Sequence, residues 1–137
     1  MPVDSVMKTE KEEIAAVSSP RIQFLAFKGK QILLVDFSRL SAAEVEETVR
    51  AVPEVVTTRA RGSVLLLADF TDAVFDKEAL RAMKEAAVFN KPFIRKTAWV
   101  GADSFPEVFS ENLKSFSGRE FPTFKSREEA FEWLAGD

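Results

Sequence analysis

The chain has 137 residues, 46% of them hydrophobic and 30% charged, with a net charge of −3. This composition fits one globular domain, and the net charge gives no general attraction to nucleic acid or to anionic membranes. The sequence contains neither Cys nor His. That absence excludes disulfides, a Cys nucleophile, a Ser–His pair and zinc sites built on these residues. We expect a cytoplasmic protein, since no apolar run could span a bilayer and no signal peptide is recognisable.

Residues 1–20 are expected to form a flexible or loosely packed N-terminal tail. Lys8–Glu13 is a run of charges, and Ser18-Ser19-Pro20 interrupts the chain before the first periodic segment. Residues 21–137 are therefore assigned to one α/β domain.

The domain begins with a predicted hairpin followed by a helix. Apolar segments at Ile22–Phe27 and Gln31–Phe37 predict two strands, joined by a tight turn that contains Gly29. Ser41-Ala-Ala-Glu44 is a capping box, in which the Ser and Glu side chains accept hydrogen bonds from free N–H groups at a helix start. We expect Pro53 to kink or end that helix, because proline lacks the N–H of a helical hydrogen bond.

Strands and helices alternate through the rest of the chain. The predicted strands are Ser63–Asp69, Ile94–Gly101 and Phe121–Phe124, and helices are predicted to begin near Asp76 and at the capping boxes Ser104–Glu107 and Ser126–Glu129. A hairpin followed by alternating strands and helices predicts a mixed, mostly parallel sheet of about five strands, with helices packed on it.

The third predicted strand leads through an acidic corner into the next helix. This corner contains Asp69, Thr71, Asp72 and Asp76. Ligands of open α/β sheets usually bind beyond the carboxyl ends of parallel strands, and parallel pairing brings Asp36 to the same edge. These carboxylates have the oxygen ligands that Mg²⁺ prefers. Structural roles explain these carboxylates better than metal binding does. Asp72 or Asp76 caps the helix, and Asp69 ends its strand through turn hydrogen bonds.

Charge is distributed unevenly between the two ends of the strands. Acidic residues follow the strands, whereas basic residues precede them, which predicts one acidic and one basic edge. The segment Ser117-Gly-Arg119 is also a candidate loop contact for an anion. The residues of the basic edge are Arg59, Arg61, Lys91, Arg95 and Lys96.

The chain resembles the STAS superfamily over about residues 21–136. The similarity is to its SpoIIAA-like (STAS/SEC14-type) group of small bacterial proteins. It is carried by five segments, namely Leu33–Ser38, Leu65–Thr71, Val74–Leu80, Lys96–Gly101 and Glu128–Leu134.

In the anti-sigma factor antagonists of this superfamily, the turn before the second helix reads roughly Asp-Ser-Ser-Gly-Leu, and its second Ser is phosphorylated. Asp76 and Leu80 match the first and last of these positions, but Lys77 and Glu78 replace the two Ser residues. The resemblance therefore does not carry the phosphorylation switch over to this chain. We interpret Glu78 as an ordinary acidic residue at a helix start rather than a phosphate mimic.

The resemblance implies a non-enzymatic regulatory module that binds an unidentified protein partner or forms a homodimer. We expect no catalytic residue, metal or cofactor. The partner-binding surface is predicted at Asp69, Thr71, Asp72, Asp76, Lys77 and Glu78.

Two other functions are left open. One is a carrier or sensor of a small, apolar, lipid-like ligand, as in the SEC14-type relatives, with a pocket lined by Trp99, Phe105, Phe109 and Phe116. The other is an enzyme with a metal or acid–base site built on Asp residues.

Overall fold

Five strands form one mixed sheet in the order β1-β2-β3-β4-β5. The structure, a computed structural model, describes residues 20–105 and 107–136, without the side chains of 104 and 107–110. The predicted tail therefore lies outside the described residues, except for Pro20. The strands are β1 (Ile22–Phe27), β2 (Lys30–Asp36), β3 (Val64–Asp69), β4 (Ile94–Val100) and β5 (Thr123–Phe124).

The first pair of strands is antiparallel, and every later pair is parallel. The helices are α1 (Ala42–Val56), α2 (Lys77–Asn90), α3 (Glu107–Ser117) and α4 (Arg127–Ala135), with short 3₁₀ turns at Lys91–Phe93 and Ala102–Ser104. The predicted α/β class and the mixed sheet are confirmed. No helix in the described part of the chain is long and apolar enough to cross a membrane.

Helices cover both faces of the sheet, so the central strand β3 is buried along its whole length. Its alternate side chains enter two separate clusters, because successive residues of a strand point to opposite faces. Leu66 belongs to the larger cluster under α1, α2 and α3. Leu67 belongs to the smaller cluster, where Ala130 and Leu134 of α4 pack.

The first helix begins where the sequence predicts and ends later. Ser41 and Glu44 form the complete capping box. The expectation for Pro53 is wrong as to the end of the helix, because α1 continues to Val56. Val55 and Val56 are buried in the larger cluster, and their burial holds the last turn despite the missing N–H donor.

One of the two later capping boxes is only partly formed. At the start of α4, the Ser126 side chain accepts a hydrogen bond from the Glu129 backbone N–H. The Glu129 carboxylate accepts a hydrogen bond from the backbone N–H of Lys125, whereas a complete capping box would have the N–H of Ser126 as the donor. The box at Ser104–Glu107 falls on side chains outside the described set.

Candidate functional site at the carboxyl ends of the parallel strands

Asp36 and Asp69 are the paired last residues of two neighbouring parallel strands. Each is followed by Phe and then by a hydroxyl residue, and each makes the same local hydrogen bonds. Asp36 Oδ1 accepts from the backbone N–H of Ser38 at 2.9 Å and from its hydroxyl at 2.6 Å. Asp69 Oδ1 accepts from the N–H of Thr71 at 3.0 Å and from its hydroxyl at 2.7 Å. The expected turn bonding of Asp69 is therefore present, and Asp36 repeats it.

Arg127, the first residue of α4, bridges these two carboxylates. Its Nε donates to Asp69 Oδ2 at 2.6 Å, and its Nη2 lies 3.1 Å from Asp36 Oδ1. On the other side, Arg21 Nη1 lies 3.6 Å from Asp36 Oδ1 and donates to the carbonyl of Ser38 at 2.8 Å. The acidic edge predicted from sequence is thus locally neutralised by two arginines.

The charge state of Asp36 follows from these contacts. Burial raises the pKa of Asp36, but hydrogen bonds from Ser38 and the charges of Arg127 and Arg21 outweigh burial and lower it below its ordinary value. Burial likewise lowers the pKa of Arg127, and the hydrogen bond and charge of Asp69 raise it overall. Asp36 therefore remains ionised at neutral pH and has no proton to donate there.

Metal binding finds no support at this edge. Within residues 20–105 and 107–136, no group of three or more acidic side chains is arranged to hold a metal ion. The two adjacent carboxylates already have Arg127 as their cation. Sequence reasoning missed Arg127, although the repeated Asp-Phe-Ser and Asp-Phe-Thr segments were a visible sign of paired strand ends.

Among the predicted partner-binding residues, Thr71 is hydrogen-bonded to Asp69, whereas Asp76 lies apart from it. Asp69 is 5% exposed and points towards α4. Asp76 begins α2 on the opposite face of the sheet, where its Oδ1 accepts from the N–H of Ala79 at 2.8 Å. The expected capping role of Asp76 is therefore present, whereas Asp72 adopts a left-handed backbone with φ of 57°. Solvent-exposed members of the predicted surface are Thr71, Asp72, Asp76, Lys77 and Glu78.

Backbone hydrogen bonds fix the loop that precedes α2. The carbonyl of Thr71 accepts from Arg39 N–H at 2.8 Å, and the N–H of Val74 donates to Leu40 O at 3.0 Å. Gly101 lies against the same loop, where an added Cβ would stand 2.5 Å from Thr71 N. The loop is therefore tied to two neighbouring segments while the Val74 side chain remains 56% exposed.

Of the four aromatic residues predicted to line a pocket, Trp99 and Phe105 are in contact, whereas Phe116 lies at the surface. Trp99 lines a cavity between the sheet and the helices. Phe105 lies in an aromatic cluster, with its ring 4.9 Å from Trp99 and 4.6 Å from Phe70. Phe116 is 57% exposed, and the side chain of Phe109 is outside the described set.

That cavity has a volume of about 70 Å³ and is mostly apolar. Its polar lining residues are Asn90, Thr97 and Arg119. Asn90 is 4% exposed, and its Oδ1 has no hydrogen-bond partner within the described residues. A buried acceptor without a partner costs about 1–3 kcal/mol of stability. Sequence reasoning marked Arg119 as an anion contact but missed Asn90 and Thr97.

The fold is that of a small α/β protein with a single mixed sheet. The family profile described as SpoIIAA-like matches residues 32–135, so the chain belongs to the SpoIIAA-like family. The resemblance inferred from sequence is thereby confirmed.

A solved structure has a similar fold. It is an uncharacterized protein from the DUF3478 family with a SpoIIAA-like fold, from Shewanella loihica PV-4. It aligns with a TM-score of 0.64 and 16% sequence identity, over 83% of this chain and 92% of that one. A search of curated proteins found no match.

Proposed function

We propose that this protein is a non-enzymatic regulatory module that binds a protein partner through Thr71–Glu78, hereafter the α2 entry surface. The observation that supports this most is the presentation of exposed side chains on a fixed loop. Val74 is 56% exposed although the N–H of Val74 and the carbonyl of Thr71 are both tied to neighbouring segments. A surface held in one conformation loses little entropy when it binds.

The charges of this surface favour a cationic partner. Asp72, Asp76 and Glu78 contribute three carboxylates, against the single ammonium group of Lys77. The ion pair of Glu78 with Arg81 is long, at 3.8 Å, which leaves the exposed carboxylate of Glu78 accessible to a partner. We infer a partner with a basic patch around a small apolar contact for Val74.

The absence of turnover is part of the proposal. It is supported by the chemistry of Asp36, which hydrogen bonds from Ser38 and the charge of Arg127 hold in the ionised form. An acid–base mechanism needs a carboxyl group whose pKa lies near the working pH. The pKa of Asp36 is shifted away from that range.

A photo-crosslinking amino acid in place of Val74, in the full chain, tests the surface in the cells that produce the protein. The matched control carries the same group in place of Glu47, an exposed residue of α1. We expect a specific crosslinked partner only from position 74. A product of twice the chain mass would identify a second copy as that partner.

Affinity measurements on the captured partner then test the charges. Glu78→Lys should weaken binding about tenfold or more, and Asp76→Ser, which keeps a helix-capping oxygen, should weaken it less. Glu47→Lys makes the same charge change elsewhere and should bind as wild type. Equal binding by Glu78→Lys and Glu47→Lys would contradict the assignment.

The apolar-ligand alternative has less support. The cavity that Trp99 lines has a volume of about 70 Å³. A cavity of roughly 150 Å³ is known to take up benzene, so an acyl chain has too little room here. Native mass spectrometry that recovered a bound fatty acid would reverse this preference.

A further inference from the structure

Arg119 is a partly buried cation whose hydrogen bonds go to neutral oxygen atoms. Its Nη1 donates to the carbonyl of Ala87 at 2.9 Å, and its Nη2 donates to the hydroxyl of Thr97 at 2.5 Å. Phe121 packs against it, with the guanidinium carbon 4.9 Å from the ring centre. Burial lowers the pKa of Arg119 to about 10, so it is still charged at neutral pH. No ion pair involves Arg119 in the part of the chain that the structure describes.

The cavity beside Arg119 contains an unused hydrogen-bond acceptor. Asn90, at the end of α2, lines the same 70 Å³ cavity and is 4% exposed. Its Oδ1 has no donor among the described residues. The rest of the lining is chiefly aliphatic and aromatic, including Trp99 and Met83. The site therefore presents a cation, an acceptor and a small apolar space.

A basic groove at the surface adjoins this site. It has a volume of about 640 Å³ and shares Thr97, Arg119 and Phe121 with the cavity. The groove exists because β5 pairs only with Trp99 and Val100, which leaves the first part of β4 without a strand on that side. Four more cations against one carboxylate, Glu120, give the groove a potential that attracts anions. These cations are Lys91, Arg95, Lys96 and Lys114.

We propose that Arg119 and Asn90 form a binding site for a small hydroxy acid. The carboxylate pairs with the Arg119 guanidinium at the groove, where two parallel N–H···O bonds are the favoured geometry. The hydroxyl group donates to Asn90 Oδ1, and the short carbon chain occupies the apolar space. The cavity of about 70 Å³ is less than half of the roughly 150 Å³ that holds benzene, which limits the chain to two or three carbons.

This proposal does not depend on the α2 entry surface. Thr97 lies in the middle of β4 and accepts a hydrogen bond from Arg119, whereas Thr71 follows the carboxyl end of β3. Partner binding and acid binding are therefore separate properties, and each experiment can fail without the other.

Fluorescence of Trp99 provides the direct test, because this residue lines the cavity. The chain has two tryptophans, so Trp133→Phe leaves Trp99 as the only emitter. We expect L-lactate to change its emission saturably, with a Kd in the millimolar range or below. Inorganic phosphate should leave the emission unchanged. No saturable change up to about 50 mM lactate, or the same change with phosphate, would overturn the proposal.

Variants separate the two contacts. Arg119→Gln should weaken lactate binding about tenfold or more, whereas Arg95→Gln, which removes a charge from the groove alone, should weaken it less than about threefold. Asn90→Leu should weaken the binding of lactate about fivefold but leave the binding of acetate, which has no hydroxyl, unchanged.

If Arg119→Gln does not fold, Arg119→Lys replaces it. A similar loss of lactate binding is expected, because the paired N–H groups of the guanidinium are gone. Equal lactate binding by the Arg119 and Arg95 variants would refute the site.

Discussion

Removal of Arg127 should destabilise the fold through the two strand-end carboxylates. In Arg127→Met the side chain of Asp69, only 8% exposed, loses the donor to its Oδ2 and stands next to the like charge of Asp36. Breaking a buried ion pair by removing one partner costs about 3–5 kcal/mol. The Arg127 side chain is 38% exposed, which lets water replace part of the interaction. We therefore expect a loss of about 2–3 kcal/mol.

Urea unfolding at pH 7, monitored by tryptophan fluorescence, measures this loss. We expect a lower urea midpoint and an unchanged dependence of the free energy of unfolding on urea concentration. Arg95→Met is the control, because Arg95 is exposed and forms no ion pair within the described residues. It should change the free energy of unfolding by less than about 0.5 kcal/mol.

A double-mutant cycle tests the cause of the effect. Asp69→Asn removes the charge but keeps an oxygen for the Thr71 hydrogen bonds. In that background, Arg127→Met should cost about 1 kcal/mol or less, because no buried charge is left unpaired. A cost that is the same in both backgrounds would refute the reasoning, as would a loss below about 0.5 kcal/mol in the wild-type background.

Three further predictions concern stability. The pKa of Asp36 is lower in the folded than in the unfolded protein, so ionised Asp36 stabilises the fold at neutral pH. This stabilisation is lost on acidification below about pH 4. Asp36→Asn should therefore reduce the fall of the urea midpoint in that pH range. Gly101→Ala should lower the free energy of unfolding by about 1–3 kcal/mol more than Gly62→Ala in the same assay. Both glycines have a positive φ, but only at Gly101 does the added Cβ meet Thr71. Equal losses in the two variants would contradict this reasoning. Pro53→Ala should raise the thermal midpoint by restoring a helical N–H donor, and a lower midpoint would show that the proline ring packs favourably.

Local sequence signals predicted the elements well where the physical cause is local. Ser41 and Asp76 cap their helices through side-chain hydrogen bonds to N–H groups three residues away, and such bonds need no tertiary contact. The end of α1 was mispredicted because the local penalty of Pro53 was outweighed by burial of Val56 against the sheet. A penalty of about 3 kcal/mol is comparable to the gain from burying one or two apolar side chains.

The candidate sites were predicted less well. The pattern of Phe105 and Phe116 indicated apolar contact but not which side would face the sheet, and Phe116 is turned to solvent. The Arg119 contact with Thr97 spans 22 residues and depends on how α3 and the loop after it pack. Asn90 carried no signal at all, because an Asn before Lys91-Pro92 reads as an ordinary helix end.

The sequence by itself determined the α/β class, the succession of strands and helices and the starts of α1, α2 and α4, because hydrophobic period and capping act over a few residues. The resemblance of its segments to known proteins indicated the family. Only the tertiary structure decided that the acidic corner is split between two faces of the sheet. Arg127 lies 58 residues after Asp69, and the two meet because α4 packs on the face to which Asp69 points. Charges so distant in sequence are paired by the packing of sheet and helix, and no local pattern specifies that pairing.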